Sequence, residues 1–285
     1  MPSRSVAVVT DSTAYLPAGV ADASGIVVVP LQVVIDGRPG DEGLDVTPRD
    51  VVAALSNRRP GITTSRPSPR RLAHAYAAAA QAAGTDAVVA VHLSRRLSGT
   101  VDAAQIAATD LADLDVRVVD SRTIAMGLGF AVMAAADAAR DGACADDVVQ
   151  AARVAAARTR AVFYVDTLEH LRRGGRIGKA QALLGAALAV KPLLHIADGE
   201  IALLEKVRTS SKAVARLEEV AVELASPGPV RLAVHHLGVP EKAADLAERL
   251  GERLGIGDDV YVSEVGAVVG AHAGPGLLGV VVAER

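Results

Sequence analysis

Cysteine is almost absent from this 285-residue chain, which carries only Cys144. No internal disulfide can form, so the fold must rest on its core, and a reducing cytoplasm is the expected location. Cys144 sits in the polar turn DGACADD and reads as a spare surface thiol rather than a nucleophile. Tryptophan is missing and aromatic residues make up 2% of the chain, so the core must be aliphatic. Long apolar runs are missing too. Charges or glycines interrupt each one before the roughly 20 residues needed to cross a bilayer, which excludes integral membrane association as the expectation. The opening MPSRSVAVVTDS runs straight into a strand-like segment, without the basic region and long apolar core of a signal peptide. Excess charge of one sign is also lacking: net charge is −3 and pI about 6.2. That field gives no reason to expect nucleic acid as a partner. The histidines show no metal-ligand spacing, because His235 and His236 are adjacent in a strand-like segment and should point to opposite faces. No metal and no cofactor are expected.

What is present is a chain 51% hydrophobic and 22% charged, able to bury a sizeable core and long enough for two domains. The short apolar runs VAVVTD, DAVVAVHL, VRVVD and AVFYVD alternate with the helical stretches RRLAHAYAAAAQAAG, VDAAQIAATDL and IAMGLGFAVMAAADAARDG. This is the rhythm of an α/β fold with a mostly parallel sheet and flanking helices. Ser68 should cap the first of these helices, with Pro69 in its first turn. Further on, KPLLHIADGEIALLEKVR holds two apolar runs joined by Asp198 and Gly199, a hairpin signal. Antiparallel strands therefore mark a second α/β domain, continued by helical SSKAVARLEEVAVELAS and EKAADLAERLGERLG and by strand-like VRLAVHHL and DDVYVSEV. The expected division is residues 1–160 and 161–285.

Open parallel sheets collect ligands beyond the carboxyl ends of their strands. Hydroxyls gather there in this sequence: Thr10, Ser12 and Thr13 beside Asp11; Ser94, Ser98 and Thr100; Ser121 and Thr123 beside Asp120; and Thr63, Thr64 and Ser65 before the Pro69 helix. Helix capping accounts for any one set alone. Several sets at one edge suit a carboxylate or phosphate held without a buried counter-charge.

The segments VVTDSTAYLP, VVPLQVVIDG, TTSRPSP, HLSRRLSGT, VVDSRTIAMGLG, DTLEHLRRGGRIGKAQALLG, KPLLHIADGEIALLEKVRT and GAHAGPGLLGV resemble, in order, the motifs of the DegV family. The resemblance implies a two-domain α/β protein that binds one long-chain fatty acid between its domains. It also implies a carrier rather than a catalyst, presenting the acid to a separate fatty-acid kinase that phosphorylates the carboxylate. On the family's motifs, the carboxylate contacts of the first loop match Thr64 together with Thr63 or Ser65. The serine of the second loop matches Ser94, with Ser98 in the same loop, and the histidine of the glycine-proline motif matches His272. Arg176 and Arg208 match arginines near the mouth of the lipid site that face the kinase partner. Arg66 stands where many relatives have glutamine, and Ala273 where threonine is common.

The residues leave two other readings open. LRRGGRIGK is equally well a solvated basic helix end, since Arg and Lys favour helix C-termini. A lone histidine such as His272, in a motif that announces a tight turn, is more often a structural hydrogen-bond partner than a catalyst. The fold implied by the resemblance is also related to the substrate domain of dihydroxyacetone kinases, so an enzyme with His272 as nucleophile toward a small carbonyl compound is one alternative. No glycine-rich nucleotide loop accompanies it, which weakens autonomous phosphoryl transfer. A sensor or interaction module whose lipid is structural is the other.

Overall fold

The computed structural model describes residues 6–56, 61–183, 191–225, 228–257 and 259–285. Residues 1–5 of the opening stretch, the last two of the DTLEHL motif, Ser226 and Asp258 lie outside them.

The chain begins with strand β1 (Val6–Asp11), a short 3-10 turn, helix α1 (Val20–Ala23) and strand β2 (Ile26–Val29). It then makes strands β3 (Gln32–Ile35) and β4 (Arg38–Asp41), helix α2 (Pro48–Ser56) and strand β5 (Ile62–Ser65). Helix α3 (Pro69–Ala83), β6 (Ala87–His92), α4 (Thr100–Thr109), β7 (Asp115–Asp120), α5 (Met126–Arg140) and α6 (Ala145–Ala157) follow. The remainder comprises β8 (Thr159–Tyr164), α7 (Glu169–Arg173), β9 (Lys191–Ala197), β10 (Glu200–Val207), α8 (Ser210–Ala225), β11 (Val230–His236), α9 (Pro240–Leu254), β12 (Val260–Glu264), α10 (Ala267–Ala273) and β13 (Leu278–Glu284).

Two compact units result, residues 1–32 with 65–158 and residues 33–64 with 159–285. The expected division at 160 differs from this in one segment, 33–64, which groups with the later residues. The physical reason is local: this segment builds its own small sheet, β4-β3-β5, and its helix α2 packs against α10. The Glu42 carboxylate, buried, accepts the Val268 N–H at 2.7 Å and so holds the start of α10.

In the first unit the sheet order is β2-β1-β6-β7, all parallel. Strands β1 and β6 are buried along their whole length, because helices cover both faces and a two-sided sheet demands uninterrupted apolar runs. On one face Leu72, Tyr76 and Ala79 of α3 and Ala103, Ala104 and Ala107 of α4 meet Ala7, Val9, Val88 and Ala90. Helices α5 and α6 pack on β1, β6 and β7 as well. Ser68 caps α3 as expected, its Oγ accepting from Arg71 N at 3.2 Å, and Pro69 is the first helical residue.

The second unit holds a mixed six-stranded sheet, β10-β9-β8-β13-β11-β12. Asp198 and Gly199 turn β9 into β10 with φ of 53° and 81°, the two left-handed positions that a tight hairpin turn requires. Ala243, Leu246, Ala247 and Leu250 form one stripe of α9, and Ala213, Leu217, Val220 and Ala221 one stripe of α8. Both stripes bury against Val162, Leu193, Leu232, Val234 and Val280 of the sheet. The segment AVFYVD, read with the parallel strands, forms β8 and pairs antiparallel with β9 and β13 in this sheet instead. A continuous apolar strand looks the same in either setting.

Candidate functional site

Strand order in the parallel sheet reverses between β1 and β6: β1 connects outward to β2 on one side, and later strands add on the other. Such a switch point opens a crevice at the carboxyl ends, here at Asp11 and His92. Asp11 is fully buried. Its Oδ1 accepts from Thr13 N at 3.1 Å and Thr13 Oγ1 at 2.5 Å, and its Oδ2 from His92 Nδ1 at 2.9 Å and Leu93 N at 3.0 Å. His92 Nε2 in turn meets the Tyr76 hydroxyl at 2.8 Å. Beyond this network the β6 and β7 loops are stitched together, Ser121 N to His92 O at 3.1 Å and Ser94 N to Thr123 O at 2.9 Å. Ser94 is buried, and its Oγ accepts from Arg96 N at 3.2 Å.

Capping explains only part of the hydroxyl clustering. Asp11 caps the 3-10 turn after β1, but α4 and α5 start at Gly99 and Ala125 with no side-chain cap bond. Ser98 bonds Thr100 at 2.9 Å instead. Strain gathers at the same edge. Tyr15, Arg122 and Ala125 have φ of 47°, 55° and 56°, costly for residues with a Cβ and typical of loops shaped for a ligand.

The second unit holds a cavity of about 330 Å³. Strand β5 brings Thr63 and Thr64 to it, α7 brings His170 and Arg173, the loop after α7 brings Arg176, and α10 brings His272. His272 Nε2 lies 2.8 Å from Thr64 Oγ1, whereas His272 Nδ1 is buried without a partner. A bare lone pair is the cheaper orphan, which assigns the ring proton to Nε2 as donor to Thr64. Thr64, its oxygen already accepting, can then turn its own O–H toward an oxyanion in the cavity. Burial pushes the His272 imidazole down to about 4, and the Arg176 charge pushes in the same direction. The ring is therefore neutral at pH 7. Positive charge comes from the half-buried Arg176, oriented by a 2.7 Å bond from Nη1 to Gly174 O.

Two glycines make room for this arrangement. A Cβ at Gly174, just past α7, would run into His272 Nδ1, and a Cβ at Gly274, just past α10, would run into His170. Each helix thus ends on a glycine that receives the other helix's histidine. His170 shares the consequence: its Nδ1 is buried without a partner, and burial, then Arg173, lowers its basicity.

Of the residues singled out in the sequence, Thr63, Thr64, His272 and Arg176 come together around this cavity, all in the second unit. Arg176 thus lines the same cavity as Thr63, Thr64 and His272. Arg208 is exposed past the end of β10 and does not line the cavity, and Ser65 is exposed, its Oγ donating to Arg66 O at 3.3 Å. Ser94 and Ser98 belong to the first unit. The sequence reading missed His170 and Arg173, although His170 and Gly174 repeat the His272 and Gly274 pairing of histidine with nearby glycine. It also missed the Tyr76–His92–Asp11 chain, for which a tyrosine in mid-helix offers no signal. His235 bonds Ser263 at 3.0 Å and His236 faces Glu264, in keeping with structural roles. Among the described residues, no helix is long and apolar enough to cross a membrane.

Comparison with known proteins bears directly on this arrangement. The family model described as "Uncharacterised protein, DegV family" matches residues 5–285. A DegV domain-containing protein of Streptomyces coelicolor is 56% identical over 283 residues, covering 99% of this chain and 100% of that relative. A solved DegV family protein from Thermus thermophilus, described by its fatty acid binding, superposes with a TM-score of 0.91 at 32% identity, covering 99% of this chain and 100% of the other. DegV from Bacillus subtilis, described as a fatty acid binding protein, superposes at 0.89 with 34% identity and the same coverage. Matched along nearly its whole length in sequence and in fold, the chain belongs to the DegV family.

Proposed function

We propose that this chain binds one long-chain fatty acid and holds its carboxylate with neutral donors, Thr64 foremost. The observation that carries the reading is the Thr64–His272 pair beside a cavity, in a chain that shares its full length with proteins described as fatty acid binding. A hydroxyl whose proton points at the ligand suits an acceptor-only carboxylate, and Arg176 adds positive charge at the cavity wall. Thr63 lies on the same wall, and motif likeness adds Ser65, Ser94 and Ser98. Affinity comes from the chain: ten or more methylenes at about 0.8 kcal/mol each gain on the order of 8 kcal/mol, the scale of micromolar binding before ordering costs. The head group needs orientation more than energy.

The second part of the proposal is that the protein is a carrier whose bound acid is phosphorylated by a separate kinase. Motif likeness supports it, with Arg208 exposed for a partner and Arg176 beside the head group. The alternative of His272 as a nucleophile on a small carbonyl compound is disfavoured by its geometry, since Nε2 is committed to Thr64 and Nδ1 is buried against Gly174. Native mass spectrometry of the purified protein, then solvent extraction, should find a fatty acid. Protein that stays empty and also refuses added oleate sinks the reading. With a fatty-acid kinase and ATP, Arg208→Ala should bind labelled oleate normally but yield less acyl phosphate. Normal oleate binding with no acyl phosphate from the wild type would point to a lipid-dependent sensor instead.

A further inference from the structure

The Asp11–His92–Tyr76 chain is, among the described residues of the first unit, a group of buried titratable side chains that the proposed function leaves unused. Donor and acceptor roles along it can be assigned from geometry. Thr13 N and Leu93 N can only donate, so each Asp11 oxygen accepts at least one fixed backbone donor. His92 Nδ1 lies 2.9 Å from the same Oδ2 and must carry a proton to bond it. Burial, reinforced by the Asp11 charge, raises the Tyr76 phenol well above its ordinary range, so Tyr76 keeps its proton, and with the ring proton on Nδ1 that hydroxyl is the donor to the Nε2 lone pair. The order is that of a catalytic relay, hydroxyl to imidazole to carboxylate. All three residues are fully buried, however, and the Tyr76 hydroxyl has no access to a substrate. Outside this chain the carboxylate meets Thr13 through Oδ1 and the Leu93 amide through Oδ2, the oxygen it shares with His92.

The geometry points to a positioning role: Tyr76, His92 and Asp11 clamp the Leu93 amide and so hold the loop that begins at Ser94 in its ligand-ready conformation. The anchor is long-range, joining α3, β1 and β6, and it acts on the first residue past the strand. Ser94 is next in the chain. Its carbonyl accepts from Leu97 N at 2.9 Å and Ser98 N at 3.1 Å, so a shift at Leu93 moves the whole turn. Where this bears on lipid, it rests on the assignment of Ser94 to the fatty-acid carboxylate.

Two readouts on the full chain test it. Asp11→Asn puts an NH2 donor where one carboxylate oxygen accepts, and Tyr76→Phe unties His92 from α3 and so loosens its hold on Asp11. In both, amide hydrogen exchange at Leu93 should quicken by about tenfold or more while Val88 to Val91 stay protected, since an amide whose acceptor is lost or loosened opens locally. Native exchange at Leu93 in both variants overturns the inference, and Tyr76→Phe keeps the test alive if Asp11→Asn does not fold. Oleate binding supplies the second readout. Tyr76→Phe should weaken it by roughly threefold to tenfold, and the Tyr76→Phe, Ser94→Ala double variant should bind no more weakly than Ser94→Ala alone, as expected for residues acting through one contact. Independent, multiplying losses overturn the coupling to Ser94. If Ser94→Ala alone binds oleate normally, the head-group assignment fails, and the exchange readout still decides the clamp.

Discussion

In the first unit both Asp11 oxygens meet donors and the Tyr76–His92 chain closes inside the core, with Thr10 Oγ1 alone left buried and unpartnered among the described residues. In the second unit three described imidazoles leave a buried Nδ1 without a hydrogen-bond partner, His236 away from the cavity and His170 and His272 beside it. Both regions join histidine to hydroxyl at 2.8 Å. The difference lies in what is left over. A satisfied buried network stabilises one conformation, because every exit from it exposes an unpaired polar group. An incompletely satisfied one bordering a cavity retains capacity for a ligand and carries some cost for it.

The largest expected effect separates the two regions by stability. Asp11→Ala strands His92 Nδ1 and the amides of Thr13 and Leu93 in the core, which should cost about 3 to 5 kcal/mol in urea unfolding. Thr64→Val removes a single partner at a cavity wall and should cost about 1 kcal/mol while weakening oleate binding. Equal losses of stability would erase the distinction.

Acid sharpens the same comparison. The folded chain holds His272 near 4, below its ordinary 6.5, so between those values the unfolded chain takes up a proton that the folded chain refuses. Stability therefore falls as pH drops from 6.5 to 4 and levels off below, by about 3 kcal/mol for this one ring. His272→Gln should lack that share of the fall. Parallel pH profiles for the two proteins would mean the ring is not held neutral.

Smaller effects probe ligand geometry. Gly174→Ala should push the His272 ring off Thr64 and lower oleate affinity by about tenfold, the scale of one lost hydrogen bond to a charged acceptor, with far less effect on melting than Asp11→Ala. Ser94→Ala should weaken oleate binding by about 1 to 2 kcal/mol in a direct titration. Unchanged affinity there would restrict the head group to the Thr64 side.

Much of the fold was legible in the sequence because its signals are local. Ser68 and Pro69 announce the start of α3 by cap chemistry, and Asp198-Gly199 announces a hairpin by its need for left-handed backbone. The α8 and α9 stripes repeat every three or four residues. Other parts have no local signature. Strand β13, central in the six-stranded sheet, went unread because a run such as LGVVVAE says nothing about its neighbours, and AVFYVD joined the wrong sheet for the same reason. Thr64 and His272 were marked by motif, yet 208 residues separate them, and no spacing could say that they touch.

By itself, then, the sequence determined many of the elements, the α/β class and the family, and its motifs marked the hydroxyls, arginines and histidine on which the proposal rests. These depend on backbone preference, apolar period and motif, all properties of neighbouring residues. Tertiary structure alone decided that 33–64 joins the later unit, that Gly174 and Gly274 each receive a histidine, and that Asp11 is tied to Tyr76 while His272 is tied to Thr64. A hydrogen bond is selective only over about 3 Å, and burial, which sets the state of His272, belongs to the surroundings that the whole chain builds around it.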